Sequence, residues 1–427
     1  MGSSYPGPDS RGLRSAGSIG LALGIAGLAA VAGVPGRALA SEQFKGEPLR
    51  VERSEDWERI ELHEDPAPFF RKEPFTEPAR QHVPVIVTAF GGDAEPPSSR
   101  FLLHAAKGFD RKDDARPPVL LVHGSIVDAQ RAWGVKSFGG RGGTGLAGRL
   151  AASGRRVFAI TFSHPHGDNW LQSEQVANAI QRIRALTGAA AVDLVAHSKG
   201  GLAARLYCSD LRQPGMTHFR GDVRRLVLIG VPNGGIDVAF AYPNLNYFVI
   251  AKNYSAPVVW TDALCYGLWT DLRGKSLYSA PDGKGAFPGQ AQMLRRWDGI
   301  YGLYTSDPGQ FDVETTYHGG RGRVSTSLGI DRAIKDGGDM IGLLERTGVD
   351  KRVEVAILAG TKPKLLDFIG ERRGPSDGLV LVRSALSTEG IARAGAKVVR
   401  RDTLRLSHIE LAYADPAIAW IEGALGD

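Results

Sequence analysis

Short β-branched apolar runs alternate with helical stretches over most of this sequence. Each run is bounded by Gly or Pro, which is typical of a parallel sheet whose strands are joined by crossover helices. We predict strands over 118–123, 156–162, 192–196, 225–231, 353–359 and 397–405. We predict helices near 144–152, 172–187, 200–212, 379–394 and 415–425. The predicted fold class is α/β, with a mostly parallel central sheet covered by helices on both faces.

The alternation breaks once, over residues 236–352. This interval is too long for a crossover connection, so we expect an inserted lid or cap subdomain. It holds 15 of the 34 aromatic residues of the chain. Seven of them lie close together: Tyr242, Tyr247, Phe248, Tyr254, Trp260, Tyr266 and Trp269. They can form the insertion's own core or an apolar surface that binds an acyl group, and both interpretations stay open.

The first 40 residues have the pattern of a secretory signal peptide. Arg11 and Arg14 precede an apolar run over 19–34, and small residues end at Ala40, where we expect cleavage. The expected location is therefore extracellular or periplasmic. An uncleaved membrane anchor is the alternative.

The remaining chain divides into four predicted segments. An N-terminal extension over 41–100 is rich in Glu, Arg and Pro and has one strand-like run at 83–90. Residues 101–235 and 353–427 are the two parts of the α/β core, separated by the aromatic-rich insertion over 236–352. One discontinuous body fits the order of the motifs described below.

Charge and cysteine content limit the partners of this protein. The formal net charge is +6, with basic residues scattered among acidic ones, so nucleic acid binding is not indicated and no protein partner is inferred. No zinc-type spacing or P-loop occurs. In an exported chain, Cys208 and Cys265 can form a disulfide, and two buried thiols are the alternative.

The most informative segment runs from Val192 to Gly201. An apolar strand ends at Ser198 and a helix follows at once, with Gly200 and Gly201 where the helix and the strand must approach closely. A serine nucleophile needs such a turn, because it lifts the Oγ atom out of the sheet. The pattern is GxSxG with Ala196 in place of the first glycine.

An oxyanion hole is expected from a second apolar strand, which ends in His123-Gly124-Ser125. The backbone N–H groups of Ser125 and Lys199 are the candidate donors to a negatively charged oxygen. We expect His123 to shape this loop rather than to transfer protons. The Lys199 side chain can face an anionic substrate or solvent, and we favour solvent.

The base and the acid should follow the nucleophile in the chain. Of the histidines beyond Ser198, His218 comes too early and His318 lies in the insertion, so His408 after the last strand is the candidate base. Asp377 is the candidate acid, because a carboxylate in the preceding loop can orient the imidazole. The rivals in that loop are Asp367 and Glu371. Asp377 can also be a simple helix cap.

A further polar segment follows the strand 156–162. It contains His164, His166 and Asp168, which could hold a divalent metal ion. We favour a polar loop that lines the pocket and expect no cofactor.

These motifs together resemble the α/β-hydrolase superfamily, and more narrowly the secreted bacterial lipases and esterases, in which Ala-His-Ser-x-Gly-Gly is a familiar nucleophile turn. The resemblance covers about 115–235 and 353–425. It implies hydrolysis of a carboxylic ester by Ser198, Asp377 and His408 through an acyl-enzyme, on a lipid or other ester substrate, with transient contact at a lipid interface. A polyester depolymerase or a thioesterase would use the same triad, and a hydrolase-like binding protein without activity is a further alternative.

Overall fold

The computed structural model describes the parts of the chain over 44–75, 80–134, 145–243, 270–272, 275–277, 288–303, 305, 312–322, 326–363 and 371–426. The strands are β1 Arg50–Glu52, β2 Arg59–Glu64, β3 Arg100–Ala105, β4 Val119–Val122, β5 Val157–Phe162, β6 Val192–His197, β7 Val223–Ile229, β8 Thr270–Leu272, β9 Lys275–Leu277, β10 Gly320–Arg321, β11 Thr326–Ser327, β12 Glu354–Gly360 and β13 Lys397–Leu404. The helices are α1 Pro84–Ala89, α2 Ala129–Trp133, α3 Leu146–Ala152, α4 Asn169–Thr187, α5 Gly200–Cys208, α6 Val238–Ala241, α7 Pro288–Ala291, α8 Val313–His318, α9 Ile330–Asp336, α10 Met340–Thr347, α11 Val382–Ala385, α12 Glu389–Ala392 and α13 Asp415–Leu425.

The predicted strands form one side of a nine-stranded sheet with the order β1-β2-β3-β5-β4-β6-β7-β12-β13. From β5 to β13 every neighbouring pair is parallel. Strands β1, β2 and β3 extend the sheet in antiparallel pairs on the other side. The predicted fold class, an α/β-hydrolase fold with a mostly parallel central sheet, is confirmed.

Helices cover both faces of this sheet, because alternate residues of each buried strand point to opposite sides. In β4, Leu120 and Val122 belong to the apolar core under α4 and α5. Val119 and Leu121 belong to the opposite core, under α1, α2, α3 and α13. All four of these side chains are fully buried. Strands buried on both faces explain why the sequence shows continuous apolar runs.

The chain changes direction in the sheet at β4. From β4 it crosses to β5 on one side, and it then returns to β6 on the other side. Loops that leave the carboxyl ends of strands at such a switch point diverge and leave a crevice, which is where open α/β sheets bind ligands. Ser125 follows β4 and Ser198 follows β6, so both lie at this crevice.

The N-terminal segment differs from the prediction. It supplies β1 and β2 to the sheet, and the run predicted as a strand at 83–90 is the helix α1. Pro84 at the first helical turn is pre-organised for a helix. Strand β2 was missed because its sequence is charged, although Glu61 is buried there and pairs with His63 at 2.8 Å and with Arg182 at 2.8 Å.

The helix predicted over 379–394 is also wrong in detail. The structure has two short helices there, α11 and α12, separated by residues 386–388. Within the insertion, the described residues include a four-stranded antiparallel sheet with the order β10-β11-β8-β9. Among all described residues, no helix is long and apolar enough to cross a membrane.

The aromatic residues predicted to bind an acyl group lie mostly outside the described residues, which end at 243 and resume at 270. Tyr242 is described and is buried. Trp297 and Tyr317 are buried at the base of the insertion, where the Trp297 indole N–H donates to the Gly235 carbonyl at 3.1 Å. These described aromatics therefore pack the insertion against the core.

Only one cysteine of the possible Cys208–Cys265 disulfide lies in the described part of the chain. Cys208 is a free thiol and is fully buried at the end of α5. Burial holds the pKa of this thiol well above its usual range. Cys265 lies outside the described residues.

Candidate active site

Ser198 occupies a strained turn between β6 and α5. Its φ of 53° is in the left-handed region, which costs a serine about 1 kcal/mol or more. The helix begins two residues later, and both following glycines are required by close contacts. A Cβ on Gly200 would lie 2.2 Å from the His123 carbonyl oxygen, and one on Gly201 would lie 2.3 Å from Val231 Cγ2. Gly200 therefore lets the helix pack against the loop after β4, and Gly201 lets it pack against the loop after β7.

The three predicted triad residues lie together at the carboxyl ends of β6 and β12–β13. His408 Nε2 is 2.9 Å from Ser198 Oγ, and His408 Nδ1 is 2.8 Å from Asp377 Oδ2. A carboxylate can only accept, so Nδ1 carries the proton and donates it to Asp377. Nε2 then accepts the Ser198 hydroxyl proton. This is the arrangement that a serine nucleophile and its general base require.

Asp377 is fixed from several sides. Its Oδ1 accepts hydrogen bonds from the backbone N–H groups of Leu379 at 3.0 Å and Val380 at 2.8 Å. Its carbonyl oxygen accepts the His408 N–H at 2.8 Å. The next helix begins at Val382, so these bonds close a loop turn and do not cap a helix. One oxygen of Asp377 thus holds the loop and leaves the other for His408.

The rival candidates take other partners. Glu371 forms a buried ion pair with Arg373 and does not contact His408. Asp367 lies outside the described residues. His218 pairs with Asp210 at 3.3 Å and His318 with Glu314 at 3.3 Å, both at exposed positions. Among these histidines, only His408 hydrogen-bonds to Ser198.

The loop after β4 touches the nucleophile, as the predicted oxyanion hole requires. A Cβ on Gly124 would lie 2.7 Å from Ser198 Cβ. The backbone N–H groups of Ser125 and Lys199 donate to no acceptor within the described part of the chain. Ile126 has a φ of 73°, which is a rare conformation for a β-branched residue and shows that this loop is strained. Both donors are therefore available to a ligand oxygen.

His123 supports this loop, as expected from its position. Its Nδ1 donates to the Gly124 carbonyl at 2.7 Å, and its Nε2 accepts the Phe162 backbone N–H at 3.2 Å. An imidazole that must accept at one nitrogen is neutral. Burial lowers its pKa to about 4, in agreement with this arrangement.

The sequence did not reveal the role of His197, which precedes the nucleophile. Its Nε2 donates to the backbone carbonyl of His408 at 2.9 Å, and the two rings lie 4.8 Å apart. Burial and the neighbouring imidazole lower its pKa to about 3. His197 therefore acts as a neutral donor that positions His408. The signal that could have found it is its place at the last position of β6, beside Ser198.

The expectation that the Lys199 side chain faces solvent is wrong. Lys199 is 1% exposed, and its Nζ donates to Gln172 Oε1 at 2.5 Å. Glu73 and Asp168, both buried, also attract this ammonium electrostatically. Burying a charge is costly unless polar partners offset it, and the sequence around Lys199 shows none of these partners.

The segment with His164, His166 and Asp168 is a buried loop tied to the N-terminal segment. His164 Nε2 donates to the Pro74 carbonyl at 3.1 Å. The Asp168 N–H donates to Glu73 Oε1 at 2.7 Å, and Asp168 Oδ2 pairs with Arg71 at 2.8 Å. In the described ranges, no group of three His, Cys, Asp or Glu residues is arranged to hold a metal ion. The loop thus connects residues 71–74 to the nucleophile turn through Lys199.

This buried cluster predicts a distinctive pH dependence of stability. Burial lowers the pKa of Lys199 from 10.5 to about 7 and, together with Asp168, raises that of Glu73 from 4.5 to about 7. The contribution of Glu73 to the free energy of unfolding is fully present below pH 4.5 and is lost as the pH rises to about 7. Stability from Lys199 is present above pH 10.5 and is lost as the pH falls to about 7. The two groups together give a minimum near neutral pH.

The measurement is the free energy of unfolding against pH for the wild type and for Glu73→Gln/Lys199→Met. The other charged groups, Asp168 and Arg71 included, are present in both proteins, so the difference curve isolates the replaced pair. We expect that curve to show the minimum near pH 7. Parallel curves for the two proteins would contradict the burial of these charges.

The strand order, the switch-point crevice and the strained serine turn place this chain in the α/β-hydrolase fold class. A family model described as "Domain of unknown function (DUF7379)" matches residues 96–253. That range contains Ser125 and Ser198 and ends before Asp377 and His408. No curated protein sequence matches the chain.

Several solved structures share parts of the fold at low identity. The lipase BlEst2 of Bacillus licheniformis in its mature form is 15% identical, with a TM-score of 0.38, over 76% of this chain and 97% of its own. A soluble variant of monoglyceride lipase from Saccharomyces cerevisiae is 14% identical, with a TM-score of 0.39, over 75% and 88%. A truncated carbohydrate esterase from gut microbiota is 12% identical, with a TM-score of 0.39, over 83% and 98%.

Proposed function

We propose that this protein is a serine hydrolase of carboxylic esters, similar in chemistry to a lipase or esterase. One observation carries the proposal: a continuous hydrogen-bond chain runs from Ser198 Oγ through His408 to Asp377, at a strained turn between a strand and a helix. A binding protein without activity would have no need for a strained serine aligned with an oriented imidazole. These hydrogen bonds therefore favour a catalytic protein over the non-catalytic alternative.

The proposed cycle has two acyl-transfer steps. Ser198 Oγ attacks the ester carbonyl carbon while His408 Nε2 takes its proton, and the carbonyl oxygen becomes an oxyanion facing the Ser125 and Lys199 N–H groups. The oxyanion collapses, the alcohol leaves with the proton from His408, and an acyl-enzyme remains. Water then attacks with His408 as base, which releases the acid and restores Ser198.

The supporting residues have separate tasks in this cycle. Asp377 stabilises the imidazolium that forms on His408 and keeps its Nδ1 proton in place. His197 donates to the His408 carbonyl and so fixes the His408 backbone. The glycines after Lys199 hold the two oxyanion donors at the same crevice as the nucleophile. Every proton in the cycle is carried by the triad, the substrate or water.

Substrate and location are part of the proposal. The aromatic stretch of the insertion supports an acyl group of lipid type, and an interface with lipid would be its natural surroundings. Residues 1–40 support export, with the mature chain beginning at Ser41. Amino-terminal sequencing of protein recovered outside the cytoplasm tests the cleavage point.

Purified protein should hydrolyse p-nitrophenyl esters, and a series of acyl chains from two to sixteen carbons should show one preferred length. A rapid first burst of nitrophenol, equal to the enzyme present, is expected where deacylation is slow. The same preparation tested on thioesters and polyester film separates the alternative substrates. Absence of hydrolysis on every substrate would contradict the proposal.

A further inference from the structure

A second cleft, separate from the nucleophile crevice, is rich in arginine. It has a volume of about 400 Å³. Its walls come from Gly234 in the loop after β7, the segment around Trp297, helix α10, the connection from α11 to α12, and β13. Five arginines and two glutamates line it: Arg295, Arg296, Arg383, Arg393 and Arg401, with Glu345 and Glu389. We call it the arginine cleft.

The positive charge of the arginine cleft is only partly neutralised. Arg295 pairs with Glu345, and Arg296 pairs with Asp298 at 2.6 Å and Asp331 at 2.9 Å. Arg393 Nε donates to the Glu345 backbone carbonyl at 2.7 Å, which is not a carboxylate.

Two cleft arginines are free. Neither the Arg383 side chain nor the Arg401 side chain forms a hydrogen bond or an ion pair with any residue in the described ranges. Three guanidinium groups, including that of Arg393, therefore lack a carboxylate partner among the described residues. The five arginines oppose four carboxylates: Glu345, Glu389 and the two aspartates paired with Arg296. The cleft keeps an excess of positive charge that a ligand could neutralise.

A buried arginine next to the cleft adds to this imbalance. Arg205 on α5 is 1% exposed, and its Nη1 donates to the Asn233 carbonyl at 2.9 Å and side-chain oxygen at 3.3 Å. Its Nε has no partner among the described residues, and it forms no ion pair with them. Burial lowers its pKa to about 10, and the attraction of Glu345, which lines the cleft, opposes this. A buried cation without a carboxylate partner is costly, and a nearby bound anion would offset that cost.

We propose that the arginine cleft binds a small molecule that carries a phosphate or sulfate monoester. The planar guanidinium donates two parallel N–H groups and matches the oxygens of these groups, and several such groups can share one dianion. A water molecule occupies about 30 Å³ in the liquid, so the cleft has room for much more than the anionic head alone. The cleft can therefore take a ligand that extends beyond its charged group.

The position of the cleft places this ligand near the nucleophile crevice. Gly230 lies against the triad, because a Cβ there would be 3.3 Å from both Asp377 Oδ2 and His408 Nδ1. Gly234, four residues later, lines the cleft. Four residues of fully extended chain span at most about 14 Å, so Gly234 lies within that distance of Gly230. Binding itself does not depend on ester hydrolysis, so it can be tested independently of the proposed function.

Calorimetry of the full chain with glycerol 3-phosphate, inorganic phosphate, inorganic sulfate and acetate tests the site. We expect glycerol 3-phosphate to bind most tightly and acetate most weakly. Arg383→Ala/Arg401→Ala should weaken binding of glycerol 3-phosphate at least about tenfold, because it removes two charge-assisted contacts. Glu389→Gln should tighten it about two- to fivefold by removing a repulsive charge.

The matched control is Arg50→Ala/Arg53→Ala, which removes the same charge at two exposed positions, the first residue of β1 and the residue after β1. Strand β1 lies at the opposite edge of the sheet from β13. The affinity of this control for glycerol 3-phosphate should equal that of the wild type. Equal losses in both double variants would overturn the proposal, because they would report net charge only. Binding to vesicles of anionic lipid, without binding to any of the small anions, would also overturn the proposal.

Discussion

Ser198→Ala is expected to lower kcat/KM for ester hydrolysis by about ten-thousandfold to a millionfold, since removal of a nucleophile in such a triad has effects of that size. The alanine removes the Oγ that lies 2.9 Å from His408 Nε2. The measurement is steady-state hydrolysis of the preferred p-nitrophenyl ester, after the fold is verified by thermal unfolding. The variant should still hydrolyse the ester faster than water alone does, because the oxyanion donors are backbone groups that the substitution leaves in place.

Ser209→Ala is the control for this variant. Ser209 directly follows α5, at the far end of the helix that begins after the nucleophile, and contributes no atom to the site. Its activity should match the wild type within about twofold, as for a change outside the site. A Ser198→Ala protein that is folded and hydrolyses esters at the wild-type rate would show that the reaction takes place elsewhere.

Asp377→Asn is expected to lower kcat by about ten-thousandfold with little change in the fold, as amides in this position of a triad do. The asparagine keeps the side-chain size. Its amide can present an N–H to His408 in place of Oδ2, which favours the imidazole tautomer with the proton on Nε2. That tautomer cannot accept the Ser198 proton, so kcat should fall while KM stays close to the wild-type value.

Glu371→Gln tests whether Glu371 or Asp377 is the acid, and Asp415→Asn controls for charge. Glu371 pairs with Arg373 rather than with His408, so its replacement should affect stability far more than kcat. Asp415 is exposed on α13 and pairs only with Arg149 among the described residues. A larger fall in kcat for Glu371→Gln than for Asp377→Asn would reverse the assignment of the acid.

The parallel half of the sheet was predictable because its strands are buried on both faces. That burial demands the continuous apolar runs that mark β4 to β7 and β12 in the sequence. Strand β2 was not predictable in this way, because Glu61 in it is neutralised by Arg182 on α4, 121 residues later. The sequence alone does not distinguish a buried, paired carboxylate of this kind from an exposed one.

The same distinction applies to the site. Ser198, Asp377 and His408 could be found because each lies directly after a strand or in the loop that follows one, so their meeting depends on strand order alone. The buried state of Lys199 depends on Gln172, Glu73 and Asp168, which approach it from other elements. Likewise, His197 acts on a backbone carbonyl, which no sequence motif marks.

Mass spectrometry after fluorophosphonate labelling tests the central claim most directly, because the probe reacts only with a serine whose base and oxyanion donors are in place. We expect one equivalent of probe per chain, on the peptide that contains Ser198, and none on Ser198→Ala. Labelling of that variant, or of a different serine in the wild type, would contradict the account.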